Sequence, residues 1–335
     1  GSALVEWYRL SAGRGTPDEV LAFLDAHSDW PGLAYLRRQS EEAVAAADNE
    51  TVLAFFSGGN LPQTGLGALA HARALLAADR EGEAEATLAL AWLTMDLSND
   101  EHDAFIAAHR DLLAAHHATR LDMALWRGLR DVAKMKPLVP EQRRQVADLR
   151  AAIQDGRAGA DDVPESLRDD PLIAHALFMR HLDRGRSEEA IKVILDQSRS
   201  EAGLGEPGRW AGWRRYLARG QMRDGNPQTA YALAAQHGLV EGSSFADLEW
   251  LSGYLALTYL DDPALALDHF QRFRRAVDTP ISLGRAGYWI GRAQEALGDE
   301  EAARIAYAQG AEHQTSFYGL LAAEKAGLPA DPALA

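Results

Sequence analysis

Apolar and small residues recur every three to four positions along most of this chain, a period that predicts α-helix nearly throughout. The clearest stretch is 285–327, RAGYWIGRAQEALGDEEAARIAYAQGAEHQTSFYGLLAAEKAG. Apolar or small residues fall at Tyr288, Trp289, Gly291, Ala293, Ala296 and Leu297, close to a 3.6 period. Gly298-Asp299 breaks the pattern, and Asp299 is placed to cap a second helix whose buried stripe is Ala302, Ala303, Ala306 and Tyr307. A short helix led by aromatics closes the stretch. Small residues on the facing surfaces let the two longer helices approach closely, while Trp289 and Tyr307 fill the space to the next pair. One such hairpin cannot bury its own apolar face, so it needs neighbours of the same kind.

The rest of the chain supplies them. Thr16-Pro17-Asp18-Glu19 is a helix start, with Thr16 as N-cap, Pro17 in the first turn and Glu19 at the third position. The helix over 20–27 stops at Ser28-Asp29-Trp30-Pro31, where Pro31 can begin the next one. Short helices follow over 51–56, 68–78 and 84–95. Ser98-Asn99-Asp100 restarts a helix toward Leu113; further helices cover 121–128, 130–135 and 141–154. Residues 155–164 are polar and carry glycine, and the main subdivision is placed there. Turn residues then recur at Arg184-Gly185-Arg186, Asp224-Gly225-Asn226, Asp261-Asp262-Pro263 and Gly298-Asp299-Glu300. Asn226, Asp262 and Asp299 are 36 and 37 residues apart, and Arg186 lies 40 before Asn226. Four residues past the three caps come Ala230, Ala266 and Ala303, and eight past come Ala234, Phe270 and Tyr307. This is a degenerate repeat of near-tetratricopeptide length. No stretch reads as a strand.

The expected fold is therefore all-α: a right-handed α-superhelix of stacked helical hairpins with a concave inner wall, tetratricopeptide-like in its C-terminal half. Its parts are residues 1–2 (a cloning scar, Gly1-Ser2), 3–160 (an N-terminal hairpin region), 161–327 (the tetratricopeptide-like region) and 328–335 (the start of a linker to further domains).

Composition narrows the function classes. The 335 residues exceed what one compact core usually holds. A formal net charge of -15 argues against nucleic acid, whose phosphates need clustered Lys and Arg. The same acidity gives no reason to expect an anionic membrane surface. With no cysteine there are no disulfides and no thiolate chemistry, and either redox compartment is compatible. No apolar run approaches the length of a membrane span. No cofactor motif is present: Ser57-Gly58-Gly59 lacks the preceding strand and following lysine of a phosphate loop, so it is a turn.

The closing stretch resembles the superhelical N-terminal part of the periplasmic soluble lytic transglycosylases, in their proteobacterial branch. The residues that carry the resemblance are Arg285, Tyr288-Trp289, Gly291-Arg292-Ala293, Gly298-Asp299, Tyr307 and Phe317-Tyr318-Gly319. Upstream, Glu249-Trp250 with Gly253, Asp262-Pro263-Ala264, His269-Phe270 and Thr279-Pro280-Ile281-Ser282 are similar as well. So are Phe23-Leu24 with His27, Asp29-Trp30-Pro31, Leu36-Arg37-Arg38, Pro62-x-Thr64-x-x-Gly67, Arg120-Leu121-Asp122 and Leu125-Trp126. The resemblance thus covers nearly the whole chain. It implies a protein that cleaves the β-1,4 bond between N-acetylmuramic acid and N-acetylglucosamine, leaving a 1,6-anhydro ring. In that family one glutamate works in a separate lysozyme-like domain, marked by Glu-Ser and a later Gly-Leu-Met-Gln. Here Glu165-Ser166 is followed by no Gly-Leu-Met-Gln, and Glu165 lies in the most solvated segment, where it reads as a first-turn helix acid. The resemblance therefore implies a non-catalytic scaffold that supports missing linker and catalytic domains, helps confine peptidoglycan glycan strands in the periplasm, and is inactive by itself. The reading from a different class is a tetratricopeptide-like adaptor that binds a protein segment in its groove.

Other constellations are weaker. His102, His109 and His116 repeat every seven residues, too far apart along one helix to share a metal, so they read as a packing seam beside His117. The doublets Asp161-Asp162, Asp169-Asp170 and Asp261-Asp262 precede or begin helices and read as caps. Trp210, Trp213 and Tyr216 with Arg209, Arg214 and Arg215 are the best binding cluster, since aromatic faces stack on sugars and guanidinium groups hold carboxylates. Packing between hairpins competes with that role, especially for Trp213 and Tyr216. Trp210, Arg214 and Arg215 are the candidate glycan-binding residues; no catalytic, metal or cofactor residue is assigned.

Overall fold

The computed structural model describes residues 2–332 and is all-helical, with no strand among the described residues. Gly1 and residues 333–335, the last part of the expected linker, lie outside the described residues. The chain parts into two compact units, one ending at Asp148 and the other beginning at Leu149. That division falls within the helix Glu141–Gln154 and not in the glycine-bearing stretch after it.

The first unit opens with α1 (Ser2–Ser11), which the sequence reading passed over although Trp7 and Leu10 lie on one of its sides. It continues through α2 (Pro17–Ala26), α3 (Leu33–Ala45), α4 (Asn49–Phe55), α5 (Gly65–Ala77), α6 (Glu81–Thr94), α7 (Asn99–Ala114), α8 (His117–Arg127), the single turn α9 (Val132–Met135) and α10 (Glu141–Gln154). Thr16 forms the expected capping box with Glu19, and Ser98 forms a second with Glu101. Glu101 also accepts from the Leu66 N–H at the start of α5, at 2.8 Å. The buried Glu41 accepts from the N–H groups of Gln63 and Thr64 and from the Thr64 hydroxyl. Gly67 is needed because a β-carbon there would collide with Glu41, which explains the Thr64-x-x-Gly67 spacing physically. Two cores result. One joins Leu10, Phe23, Leu36, Val52 and Phe55; the other centres on Trp92, with Phe105, Leu121 and Met135 around it.

Within that second core, Arg120 is fully buried and paired with Asp131 at 2.5 Å. Its guanidinium lies 4.4 Å from the Trp92 ring and donates to the Trp92 carbonyl. His102 and His117 pack on the same indole. The seven-residue histidine series is not a single helical face. α7 has a non-helical break at His109 (φ -136, ψ 31), and His116 is the N-cap of α8.

The second unit stacks hairpins in order: α11 (Pro171–Asp183) on α12 (Ser187–Gln197), α13 (Ala211–Arg223) on α14 (Pro227–Ala235), α15 (Gly242–Tyr259) on α16 (Pro263–Arg275), and α17 (Pro280–Leu297) on α18 (Glu300–Ala311), with α19 (Phe317–Ala326) last. Each expected repeat cap stands at its helix start. The Asp262 and Asp299 side chains accept from Leu265 and Ala302 N–H groups, whereas Asn226 and Arg186 make no such bond. Gly298 ends α17 in the left-handed region (φ 79), as the Gly-Asp turn requires. Ala230, Ala266 and Ala303 are buried, together with Ala234, Phe270 and Tyr307. Tyr307 packs on Ala322 of α19, the element that follows its pair. Its ring fills the space left by Gly291 inside its own hairpin, as Phe270 does at Gly253. Gly287 meets Gly310 where α17 and α18 come closest, and a β-carbon at Gly319 would strike the His313 carbonyl. Glu165 is exposed at the start of a short 3-10 turn, Glu165–Leu167.

Candidate functional site

The leading helices of the last hairpins carry aromatic residues that meet on one half-exposed surface. Trp250 and Tyr254 sit one turn apart on α15 and stack with centroids 5.6 Å apart and planes 13° apart. Trp289 on α17 meets Tyr254 edge-on at 5.3 Å and stacks on Phe270 of α16 at 5.7 Å. Tyr318 on α19 joins them, 5.5 Å from Tyr288 and 6.3 Å from Trp289. Phe317, 69% exposed, lies at the outer edge beside Tyr318. Stacking of the hairpins brings these positions together, with Trp250 and Trp289 lying 39 residues apart on successive leading helices.

Arg285 lies among these rings. Its guanidinium carbon is 5.0 Å from the Trp250 ring and 5.4 Å from the Tyr318 ring. Its Nε is buried without a hydrogen-bond partner, and among the described residues the side chain has no hydrogen bond or ion pair. The nearby Arg292 is engaged differently, donating to the Tyr288 hydroxyl at 3.1 Å and pairing with Glu295 at 3.4 Å. The indole Nε1 atoms of Trp250 and Trp289 are likewise buried without partners. Burial, reinforced by the Glu295 carboxylate, raises the Tyr307 hydroxyl pKa well above its ordinary value, so that phenol stays neutral.

Beside Trp250 on the same helix, Glu249 points inward to a buried polar knot. His237 donates Nε2–H to Glu249 Oε1 at 3.2 Å, while its Nδ1 accepts from the Leu239 N–H at 2.9 Å. His269 donates Nδ1–H to Oε2 at 2.6 Å and accepts at Nε2 from the Tyr231 hydroxyl at 2.8 Å. Arg272 Nε–H also donates to Oε2, at 3.1 Å. Burial by itself would raise this acid. The hydrogen bonds from both histidines and the charge of Arg272 outweigh it and hold Glu249 at about 2. A carboxyl kept ionised by so many donors is a poor general acid, and it ties α14, α15 and α16 together. Glu41 has the opposite shift, raised by burial, but its oxygens already receive the N–H groups of Gln63 and Thr64 just before α5. Among the described residues no three His, Asp or Glu side chains are set to hold a metal ion. No described helix is long and apolar enough to cross a membrane.

The binding candidates taken from sequence lie elsewhere, and two of them are interior. Trp210 is fully buried against His175 and Phe178, its indole N–H donating to the Leu204 carbonyl at 2.9 Å. Arg214 is also fully buried, donating to the Leu233 carbonyl and the Ser198 hydroxyl, and burial lowers its pKa to about 10. Neither has a face to offer a sugar. Arg215 is part-exposed but pairs with Asp247, joining α13 to α15. Trp213 is half-buried, and Tyr216 is 63% exposed and not packed between hairpins. The signal that separates the two groups is periodic. Arg214 falls on the buried side of α13 with Ala211, Leu217 and Ala218, a spacing that reads as core.

Of the motif residues that carry the family resemblance, Trp250, Arg285, Tyr288, Trp289, Phe317 and Tyr318 converge on the aromatic surface. Gly291, Arg292, Gly298, Asp299, Tyr307 and Gly319 build the hairpins that hold it. Trp30, in the first unit, packs on Phe23 and His27, and Pro31 beside it is exposed. Comparison of the chain with protein-family models, with curated proteins and with solved structures returns no match.

Proposed function

We propose that this chain is the non-catalytic, superhelical scaffold of a periplasmic peptidoglycan lytic transglycosylase, which carries the catalytic domain and helps confine the glycan strand. The observation that carries the reading is the half-exposed surface of Trp250, Tyr254, Trp289, Tyr288 and Tyr318 around Arg285. Partly open aromatic faces are what sugar rings stack on, and the hairpins behind them are closed by glycine–aromatic contacts that hold the rings in place. Side chains presented from packed helices do not have to be ordered when a ligand arrives, which favours a weak but well-registered hold on a polymer.

Sedimentation of the purified chain with insoluble peptidoglycan tests this. Co-sedimentation is expected, without release of 1,6-anhydro products, and Trp250→Leu with an unchanged melting temperature is expected to weaken it. The reading frame beyond the Ala335 codon is expected to encode Glu-Ser and a later Gly-Leu-Met-Gln. Anhydro products from this chain, or no retention on peptidoglycan, would overturn the reading. The tetratricopeptide-like adaptor would instead retain a protein segment and ignore peptidoglycan.

A further inference from the structure

We infer that Arg285, held against Trp250 and Tyr318, is a subsite for a carboxylate borne on a glycan. This rests on the glycan-binding reading above and specifies which chemical group the surface selects. A part-buried arginine ordinarily meets a hydrogen-bond acceptor, because loss of hydration by the guanidinium needs compensation. Arg292, two turns along the same helix, has Glu295; Arg272 has Glu249; Arg120 has Asp131; Arg214 has the Leu233 carbonyl and the Ser198 hydroxyl. Arg285 has two aromatic faces and no anion. Its Nε is buried and unpartnered, and the residue as a whole is only part-buried.

Two rings against a guanidinium restrict it without using its N–H groups, which are left for a planar, two-oxygen acceptor, the geometry a carboxylate matches best. The rest of the ligand is constrained by charge. A chain with a net charge of -15 repels polyanions at long range, so a single unpaired arginine favours an acid group spaced along a polymer that is otherwise uncharged. The neighbouring aromatic faces, Tyr254 and Trp289 above all, then take the uncharged rings. An amino-sugar strand with a carboxylate on every second residue has that chemistry. The carboxylate has two sources in such a strand: the acid ether of the sugar itself, or the end groups of an attached peptide.

Isothermal titration of the full chain distinguishes these. The probes are peptide-free strands with free sugar carboxylates, peptide-bearing strands whose sugar carboxylates are amidated, neutral N-acetylglucosamine oligomers and oligogalacturonate. Expected is tighter binding of at least one carboxylate-bearing strand than of the neutral oligomer, weakened about tenfold by Arg285→Gln at an unchanged melting temperature. Arg285→Lys is expected to recover only part of it, since an ammonium lacks the planar fork. Which strand is preferred identifies the carboxylate. Equal binding of neutral and acidic strands, or Arg285→Gln binding like the unaltered chain, overturns the subsite while leaving the glycan scaffold standing. Arg285-dependent binding of oligogalacturonate with no binding of either peptidoglycan strand keeps the subsite and overturns the scaffold reading. No binding of any probe overturns both.

Discussion

The aromatic ring of Tyr307 occupies the place where Gly291 has no side chain: a β-carbon at that position would lie inside the ring's van der Waals envelope. One repeat earlier, Gly253 stands in the same relation to Phe270, with the ring edge 2.6 Å from where a β-carbon would be. Glycine on the first helix and an aromatic on the second therefore set the interhelical distance in both hairpins. The bulk of the pair is kept constant while its two helices share it unequally.

That relationship predicts a reversal of sign. Glycine to alanine inside a helix ordinarily stabilises by about 1 kcal/mol. At Gly220 on α13, where a β-carbon would meet nothing within 4 Å, Gly220→Ala is expected to do so. Gly291→Ala and Gly253→Ala are expected to destabilise by about 1–3 kcal/mol, because the packed ring must move. Urea unfolding monitored by circular dichroism compares the three; a stabilising Gly291→Ala would contradict the packing described.

A second expectation concerns the buried pair in the first unit. Arg120→Met leaves Asp131 charged inside the protein and removes the donor to the Trp92 carbonyl, which should destabilise by about 3–5 kcal/mol. Adding Asp131→Leu should restore a large part of that, because two well-packed apolar groups need no compensation. The double variant's urea midpoint, set against the single ones, measures the coupling.

Acid should weaken the fold in two stages. His175 is lowered to about 4 by burial, so the unfolded chain binds more protons below its ordinary value near 6.5. Stability from this group is complete above that value and is lost as pH falls toward 4. His71, His102, His109, His117 and His181 are lowered for the same reason and act in the same direction. Glu249, held at about 2, contributes stability above its unfolded value near 4.5 and loses it as pH drops toward 2. Glu41 opposes this, since its raised pKa favours the folded state once it is protonated. Melting temperature against pH should fall from about 6.5 downward. Glu249→Gln should destabilise by on the order of 3 kcal/mol at neutral pH and flatten the lower stage.

Much of the fold was legible in local residues. Thr16 with Glu19, the helix restart at Ser98-Asn99-Asp100, Gly298 with Asp299 and the helix Glu141–Gln154 are read from neighbours a few positions apart, and they stand in the structure where the sequence places them. The repeat was legible too, through Ala266 with Phe270 and Ala303 with Tyr307. Helix α1 was passed over because no N-cap or proline marks its start.

What side chains do at long range was not legible. Trp210 and Arg214 have the composition of a binding cluster, and only packing against His175, Phe178 and Leu233 shows them to be interior. Arg285 reads as one motif residue among many until α15 and α19 bring Trp250 and Tyr318 within about 5 Å of it. The knot of Tyr231, His237, Glu249 and His269 gathers residues from three helices and a loop, with no spacing that announces it. Caps, turns and periods are written in the chain because they depend on residues three to eight apart. Burial and charge pairing depend on which faces meet, and that is decided only when the hairpins stack.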